Sequence, residues 1–343
     1  MIIQTTTRCT PRETEKIIDE IIQLGYKPAR VTTQFGQYIV CVGNTDFDIR
    51  KIGNLPGVRD VHMVKDQSKL VSRQWKVKAT EIPLGEGMTI SRNHFSLAMG
   101  PCSIENEEQV REMVGFLKSE GVGVMRGGVF KPRSSPYAFR GLGLEGLKMF
   151  HRVCREAGIR IVTEVMQVSQ VADMHDFVDI FQVGTRNAQN FNLLDELGKV
   201  DKPVLLKRGM SSTLDELLAS AEYIFSNGNE KIILCERGVR TFERAYRNTL
   251  DLNAIPYLRE KSHLPVFCDP SHGVGVRAYV ETMALASVMA GADGLIMEIH
   301  KQPERAMSDG QQSLSFSEAR QCIRKIRETV NFRKELSKLD TLT

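Results

Sequence analysis

Phe267-Cys268-Asp269-Pro270-Ser271-His272-Gly273 is the stretch on which the fold turns. A short apolar strand, Leu264–Phe267, leads into it, and a helix of small residues, Val276–Ala290, leads away. Between them a loop carries Asp269, Ser271 and His272, with Pro270 and Gly273 shaping its backbone. A strand that ends in polar residues and hands over to a helix is the unit from which α/β barrels build their chemistry.

The same rhythm recurs from Phe95 onward. Apolar strands are predicted at Ser96–Met99, Gly123–Gly127, Arg160–Thr163, Asp179–Val183, Val204–Lys207, Lys231–Cys235, Pro265–Cys268 and Gly294–Met297. Helical patterns come after them, among others at Glu107–Ser119, Gly143–Glu156, Asn190–Leu197, Thr213–Ser226 and Ser315–Val330. Strands and helices alternating in this way across residues 95–335 predict a (β/α)8 TIM barrel, with an open doubly wound sheet as the alternative. No Gly-x-Gly-x-x-Gly stands after the first strand, which argues against a dinucleotide fold.

Ahead of the barrel, residues 1–66 read as a separate module. The order is strand Met1–Thr6, helix Pro11–Leu24, hairpin Val31–Phe35 with Tyr38–Val42 around Gly36-Gln37, helix Asp46–Asn54 and strand Val58–Met63. β-α-β-β-α-β is the pattern of a small ferredoxin-like α+β domain. It holds no catalytic cluster and reads as a stabilising appendage or a ligand-sensing regulatory domain. Residues 67–94 read as a linker with one or two short strands.

The chain has 343 residues, enough for a barrel plus a small module. With 41% apolar and 26% charged residues it is expected to be soluble and globular. A net charge of +4, spread without aromatic interleaving, does not suggest nucleic acid. The seven cysteines are odd in number and widely spaced, the usage of a reducing compartment. There is no signal-peptide pattern and no bilayer-spanning run, so a cytoplasmic enzyme with no membrane partner is expected.

The residues just past each predicted strand are the informative feature. The ends carry Cys102-Ser103, Arg126 with Lys131 and Arg133-Ser134, Glu164, Arg186-Asn187, Lys207-Arg208, Glu236-Arg237, Asp269 with His272, and Glu298 with Asp309 beyond it. In a barrel these ends converge on one face. Two chemical sets separate. Cys102, His272, Glu298 and Asp309 join a thiolate, an imidazole and two carboxylates, a donor set for one divalent ion such as Mn, Fe, Co or Zn. Such an ion with an open position acts as a Lewis acid on a carbonyl. Arg126, Lys131, Arg133, Arg186, Lys207 and Arg237 form a cationic set too large for one monoanion, which suits two substrates bearing phosphate and carboxylate groups. Arg208, Arg240 and Arg244 read as surface basics.

Together, Gly100-Pro101-Cys102-Ser103, Lys131-Pro132-Arg133-Ser134-Ser135, Gly184-Thr185-Arg186-Asn187, Cys268-Asp269-Pro270-Ser271-His272 and the Glu298…Asp309 pair resemble 3-deoxy-D-arabino-heptulosonate 7-phosphate (DAHP) synthase. The kind resembled is the short barrel-type class with an N-terminal ferredoxin-like domain. The resemblance implies a transferase that condenses phosphoenolpyruvate with erythrose 4-phosphate, the first step of the shikimate pathway to aromatic amino acids. It implies that Cys102, His272, Glu298 and Asp309 bind the metal. Arg126, Lys131, Arg186, Lys207 and Arg237 would hold phosphoenolpyruvate, and Arg133, Ser134 and Asp269 erythrose 4-phosphate. Catalytic roles would fall to Lys131, Glu164, His272 and Cys102. Glu164, Lys131 or a water on the ion could place the attacking water. The resemblance also implies feedback by tyrosine or phenylalanine at the N-terminal domain, and a homotetramer. The family often has Thr where this chain has Ser134, which keeps the hydroxyl.

The sister enzyme, 3-deoxy-D-manno-octulosonate 8-phosphate synthase, uses arabinose 5-phosphate and is the closest alternative. Lys131-Pro132-Arg133-Ser134 differs from its Lys-Ala-Asn-Arg-Ser pattern and favours the four-carbon sugar. Cys102 favours metal dependence, because metal-free sister enzymes carry Asn there. A binding protein on a retired barrel would have lost a metal ligand, and none is lost. A plain metal aldolase has no need of so many cations.

Overall fold

β1 (Ile2–Thr5), α1 (Pro11–Gln23), β2 (Lys27–Thr32), β3 (Gln37–Val42), α2 (Arg50–Gly53) and β4 (Val58–His62) open the chain. The computed structural model describes residues 1–43, 47–131, 137 and 139–339. These first strands form an antiparallel sheet of order β2-β3-β1-β4. α1 begins as its sequence dictates. Thr10 and Glu13 exchange side-chain and backbone bonds in a capping box, and Pro11 occupies the first turn. Ile17 and Ile21 are then buried against Ile3, Ile39 and Ile52.

The hairpin differs from expectation. Its first strand ends at Thr32, not Phe35, because Thr33 Oγ1 accepts from the N–H of Phe35 and of Gly36 and holds these residues in a turn. The second helix is one turn, Arg50–Gly53, and the expected start at Asp46 lies outside the described residues.

β5 (Ile82–Gly85) and β6 (Met88–Ile90) form a hairpin inside the stretch expected as a linker. It works as a plug. Ile82 and Ile90 are buried among Ala98, Val124, Val162, Ile180, Leu205, Ile233, Phe267 and Ile296, which come from every strand of the barrel. Arg160, the first residue of its strand, pairs with Glu86 in the hairpin turn at 3.1 Å, so the plug closes the N-terminal end.

The barrel strands are β7 (Ser96–Gly100), β8 (Val124–Arg126), β9 (Arg160–Val165), β10 (Ile180–Val183), β11 (Val204–Lys207), β12 (Ile232–Glu236), β13 (Val266–Cys268) and β14 (Gly294–Glu298). They close in sequence order with every pairing parallel, β14 returning to β7. Closure excludes the open sheet. The outer ring is α3 (Glu107–Ser119), α4 (Gly143–Glu156), α5 (Ser169–Met174), α6 (Phe191–Gly198), α7 (Leu214–Ser226), α8 (Ala254–Lys261), α10 (Arg277–Met289) and α11 (Phe316–Leu339), and the short α9 (Pro270–Val274) lies in the loop directly after β13. α11 runs past the expected Val330, and that residue is the last buried one in it. No described helix is long and apolar enough to cross a membrane.

The N-terminal sheet docks at the plugged end. Glu230, two residues before β12, is 1% exposed and receives Tyr38 Oη at 2.9 Å, Thr33 Oγ1 at 2.5 Å and Lys76 Nζ at 3.0 Å. Trp75 packs edge-on against Tyr38, Phe225 and His263. Glu222 on α7 accepts the backbone N–H groups of Lys69, Leu70 and Val71. Nearly the whole barrel thus separates this dock from the polar strand ends.

Candidate active site

Strand parity builds the site. Side chains alternate across a strand, so residues two apart share a face. Val124, Val162, Ile180, Leu205, Cys235, Phe267 and Ile296 form the dry interior layer. Two residues further along stand Arg126, Glu164, Gln182, Lys207, Arg237, Asp269 and Glu298. An apolar floor therefore carries a polar layer at the C-terminal end of the barrel.

The anchor loop after β13 is a turn of helix. Asp269 caps α9 by accepting the His272 N–H at 2.9 Å, and Pro270 fills the first position. The same carboxylate accepts His272 Nδ1–H at 2.8 Å and Lys207 Nζ at 2.5 Å. Burial alone would raise the Asp269 pKa, but His272 and Lys207 hold it well below the usual carboxylate range. Burial lowers the His272 pKa against the pull of Asp269 and Glu298. A neutral imidazole that donates from Nδ1 keeps a lone pair on Nε2.

That lone pair faces the other donors. One ligand atom each from Cys102, His272, Glu298 and Asp309 lies within 4.8 Å of all the rest. Two ligands on one ion at about 2.0–2.3 Å cannot stand much more than about 4.6 Å apart, so the cluster is of the right size. Its sulfur, nitrogen and two oxygens suit a borderline divalent ion. The electrostatics agree. Burial, then Glu298, pushes the Cys102 thiol up to about 12, and it donates to Asp309 Oδ2 at 3.0 Å. Asp309 is held down to about 2 by that thiol, His272 and Arg247, although burial acts to raise it. A thiol so placed needs a cation to ionise it. Lys131 Nζ is 2.9 Å from Cys102 Sγ.

Around the cluster lies a cavity lined by Arg126, Lys131, Arg186, Lys207 and Arg237, all five expected there, with Glu164 and His272. Arg126 is buried, donates to Glu298 Oε1, and leaves its Nε without a partner. Arg237 is 3% exposed, and its hydrogen bonds among the described residues go to carbonyls of Gly238 and His272. Burial lowers its pKa. A buried guanidinium without a carboxylate is set for an incoming anion. Glu164 takes Gln182 Nε2 at 3.3 Å. Its place depends on Gly184, where a Cβ would come 2.0 Å from Glu164 Oε1.

Some residues fall elsewhere than expected. Arg208 is no surface residue: it is buried and paired with Glu236 at 2.9 Å and Asp251 at 3.0 Å. Glu236 is fully buried behind the barrel wall, accepting the Gly238 N–H at 2.6 Å. Arg240 lines the cavity, and so do Arg247 and Asn248, which sequence reasoning missed. Gln312 was missed as well; it donates to Glu298 Oε2 at 2.6 Å. Asp269 lies behind His272 and not among the residues of the cavity wall. Arg133 and Ser134 lie outside the described residues.

The chain as a whole is similar to known proteins. The DAHP synthetase I family matches residues 60–332. A phospho-2-dehydro-3-deoxyheptonate aldolase from Thermotoga maritima is 46% identical over 278 residues, 81% of this chain and 82% of that one. A 2-dehydro-3-deoxyphosphooctonate aldolase from Syntrophobacter fumaroxidans is 34% identical over 259 residues, 70% of this chain and 88% of that one. The crystal structure of the Thermotoga maritima DAHP synthase is similar with a TM-score of 0.77 at 40% identity, covering 96% of this chain and 97% of that one.

Proposed function

The chain belongs to the DAHP synthetase I family, and from that premise we propose that it condenses phosphoenolpyruvate with erythrose 4-phosphate to DAHP and inorganic phosphate, the first step toward the aromatic amino acids. The observation that carries this reading is the four-donor cluster opening directly onto a cavity walled by five expected cations.

Arg126, Arg186, Lys207 and Arg237 bind the phosphate and carboxylate of phosphoenolpyruvate, exchanging buried or ion-paired cations for a complementary anion. Cys102, His272, Glu298 and Asp309 would hold a divalent ion, which when bound would supply Lewis-acid polarisation of the aldehyde. C3 of phosphoenolpyruvate forms the new bond to the aldehyde carbon, water adds at C2, and the C2–phosphate bond breaks to release phosphate. Lys131 stands between Cys102 and the cavity and neutralises the developing alkoxide. Glu164 offers an acceptor for the proton of the attacking water, with Lys131 the other group able to place it. Asp269 holds His272 in the tautomer the cluster needs. Arg133 and Ser134 serve the sugar phosphate.

The 34% identity to an octulosonate-type aldolase favours a second reading, with arabinose 5-phosphate as the aldose. A panel of sugar phosphates with phosphoenolpyruvate separates the two. Phosphate release with erythrose 4-phosphate, abolished by chelator and restored by Mn or Zn, is expected. Release with arabinose 5-phosphate alone would establish the second reading, and release without any aldose would overturn both.

Residues 1–66 are read as a ferredoxin-like regulatory domain for tyrosine or phenylalanine, 67–94 as a linker and 95–335 as the catalytic barrel of a cytoplasmic homotetramer. The strand order β2-β3-β1-β4 with two intervening helices supports the first of these.

A further inference from the structure

Gln312 touches two of the four clustered ligands without being one. It sits in the short 3-10 turn Gly310–Gln312, which Asp309 precedes with a left-handed φ of 50°. Its backbone N–H closes that turn on Asp309 O at 3.2 Å. Its side chain, 0% exposed, reaches Glu298 Oε2 at 2.6 Å. The orientation of the amide is not free. Arg247 Nη1 lies 2.8 Å from the other end, and a guanidinium only donates, so that end is the carbonyl oxygen. The NH2 must then face Glu298. The same Arg247 nitrogen is 3.4 Å from Asp309 Oδ1.

This is a relay from the cavity wall to two ligands: Arg247 orients Gln312, and Gln312 fixes Glu298 and closes the turn under Asp309. With Oε2 engaged by Gln312, Glu298 presents Oε1 toward His272 Nε2, 3.3 Å away. Groups that hold a metal ligand by its second atom set its direction and therefore the affinity of the site. The turn is tight for steric reasons as well. A Cβ at Gly310 would meet Pro303 O at 2.1 Å, so the residue after Asp309 has to be glycine.

We propose that Gln312, oriented by Arg247, is a positioning residue whose side chain aims Glu298 and so sets how tightly the cluster holds a divalent cation. The inference rests on reading Cys102, His272, Glu298 and Asp309 as the ligand set. A buried glutamine that merely fills space between neighbours would leave ion affinity almost untouched.

The test uses the full-length metal-free protein titrated with Cd2+, whose thiolate charge-transfer absorption at short ultraviolet wavelength reports ligation by Cys102. Gln312→Leu is expected to weaken binding by about 10–100-fold. Arg247→Gln is expected to weaken it less, because the amide loses its orientation but not its reach. In a Glu298→Gln background, Gln312→Leu should add only a small further loss. The thermal midpoint of each metal-free variant shows whether the fold survives, and Gln312→Met, closer in shape and also without the amide, carries the test if Gln312→Leu does not fold. Unchanged Cd2+ affinity in the variants overturns the proposal, as does an equal loss in the Glu298→Gln background. A wild-type protein that gives no thiolate band overturns the ligand set itself, a distinct outcome.

Discussion

Asp269 grips His272 twice, by the backbone N–H at 2.9 Å and by ring Nδ1 at 2.8 Å. One carboxylate thereby caps a helical turn and fixes a tautomer. Asp269→Asn should keep much of the cap but lose the charged acceptor at Nδ1. The expected result is a drop of about 10–100-fold in metal affinity with the helix content unchanged. Isothermal titration with Mn2+ and far-ultraviolet circular dichroism check it.

Two arginines near the strand ends should fail in different ways. Arg237→Ala removes a cavity cation and should cost about 1.5–3 kcal/mol of phosphoenolpyruvate binding with little change in melting temperature. Arg208→Ala leaves Glu236 buried and short of its partner, and should cost about 3–5 kcal/mol of stability. KM for phosphoenolpyruvate and thermal unfolding, measured on both variants, separate the roles. A lowered melting temperature for Arg237→Ala with unchanged KM would reverse the assignment.

His263 gives the fold an acid limit. Its Nε2–H donates to Leu70 O at 2.8 Å, and Nδ1 accepts from Thr80 at 2.7 Å, so the buried ring is neutral. Burial lowers its pKa from 6.5 to about 3. The unfolded chain takes up a proton below about pH 6.5 and the folded chain does not. The stabilising contribution is therefore complete above that pH and is lost as pH falls toward the folded value. Between about pH 6.5 and 4.5 this amounts to roughly 2–3 kcal/mol. In His263→Gln the urea midpoint should depend less on pH over that window. An identical slope in both proteins would show that other groups carry it.

Deleting residues 1–66 should leave condensation intact, because the cluster and its cavity are built entirely from the barrel. On the proposed regulatory reading, the full-length protein should be inhibited by tyrosine or phenylalanine and the truncated one should not. The deletion should also lower the melting temperature, since Tyr38 and Thr33 no longer reach the buried Glu230. Initial rates with and without each amino acid check the first two points.

Much of this was legible because each βα unit carries its own signal. An apolar run, a polar end and a helix are local features, and the eight of them suffice for closure. The four clustered donors could be picked out for the same reason: each stands at a strand end or in the loop beyond it. Arg208 was misread as a surface residue although the information was present. Lys207 points into the barrel, so its neighbour Arg208 must point out, and the same parity separates Arg237 from Glu236. Gln312 and Arg247 had no such signal, because a bond between residues so far apart in sequence leaves no local pattern. The plug was hidden too. Ile82 and Ile90 look like any short alternating pair until eight strands supply the socket.

The plug has a mechanical consequence. Ile82 and Ile90 share one buried cluster with residues from all eight barrel strands. A substitution that empties this spot removes contacts from the whole ring together, so damage there is felt as one cooperative loss and not strand by strand.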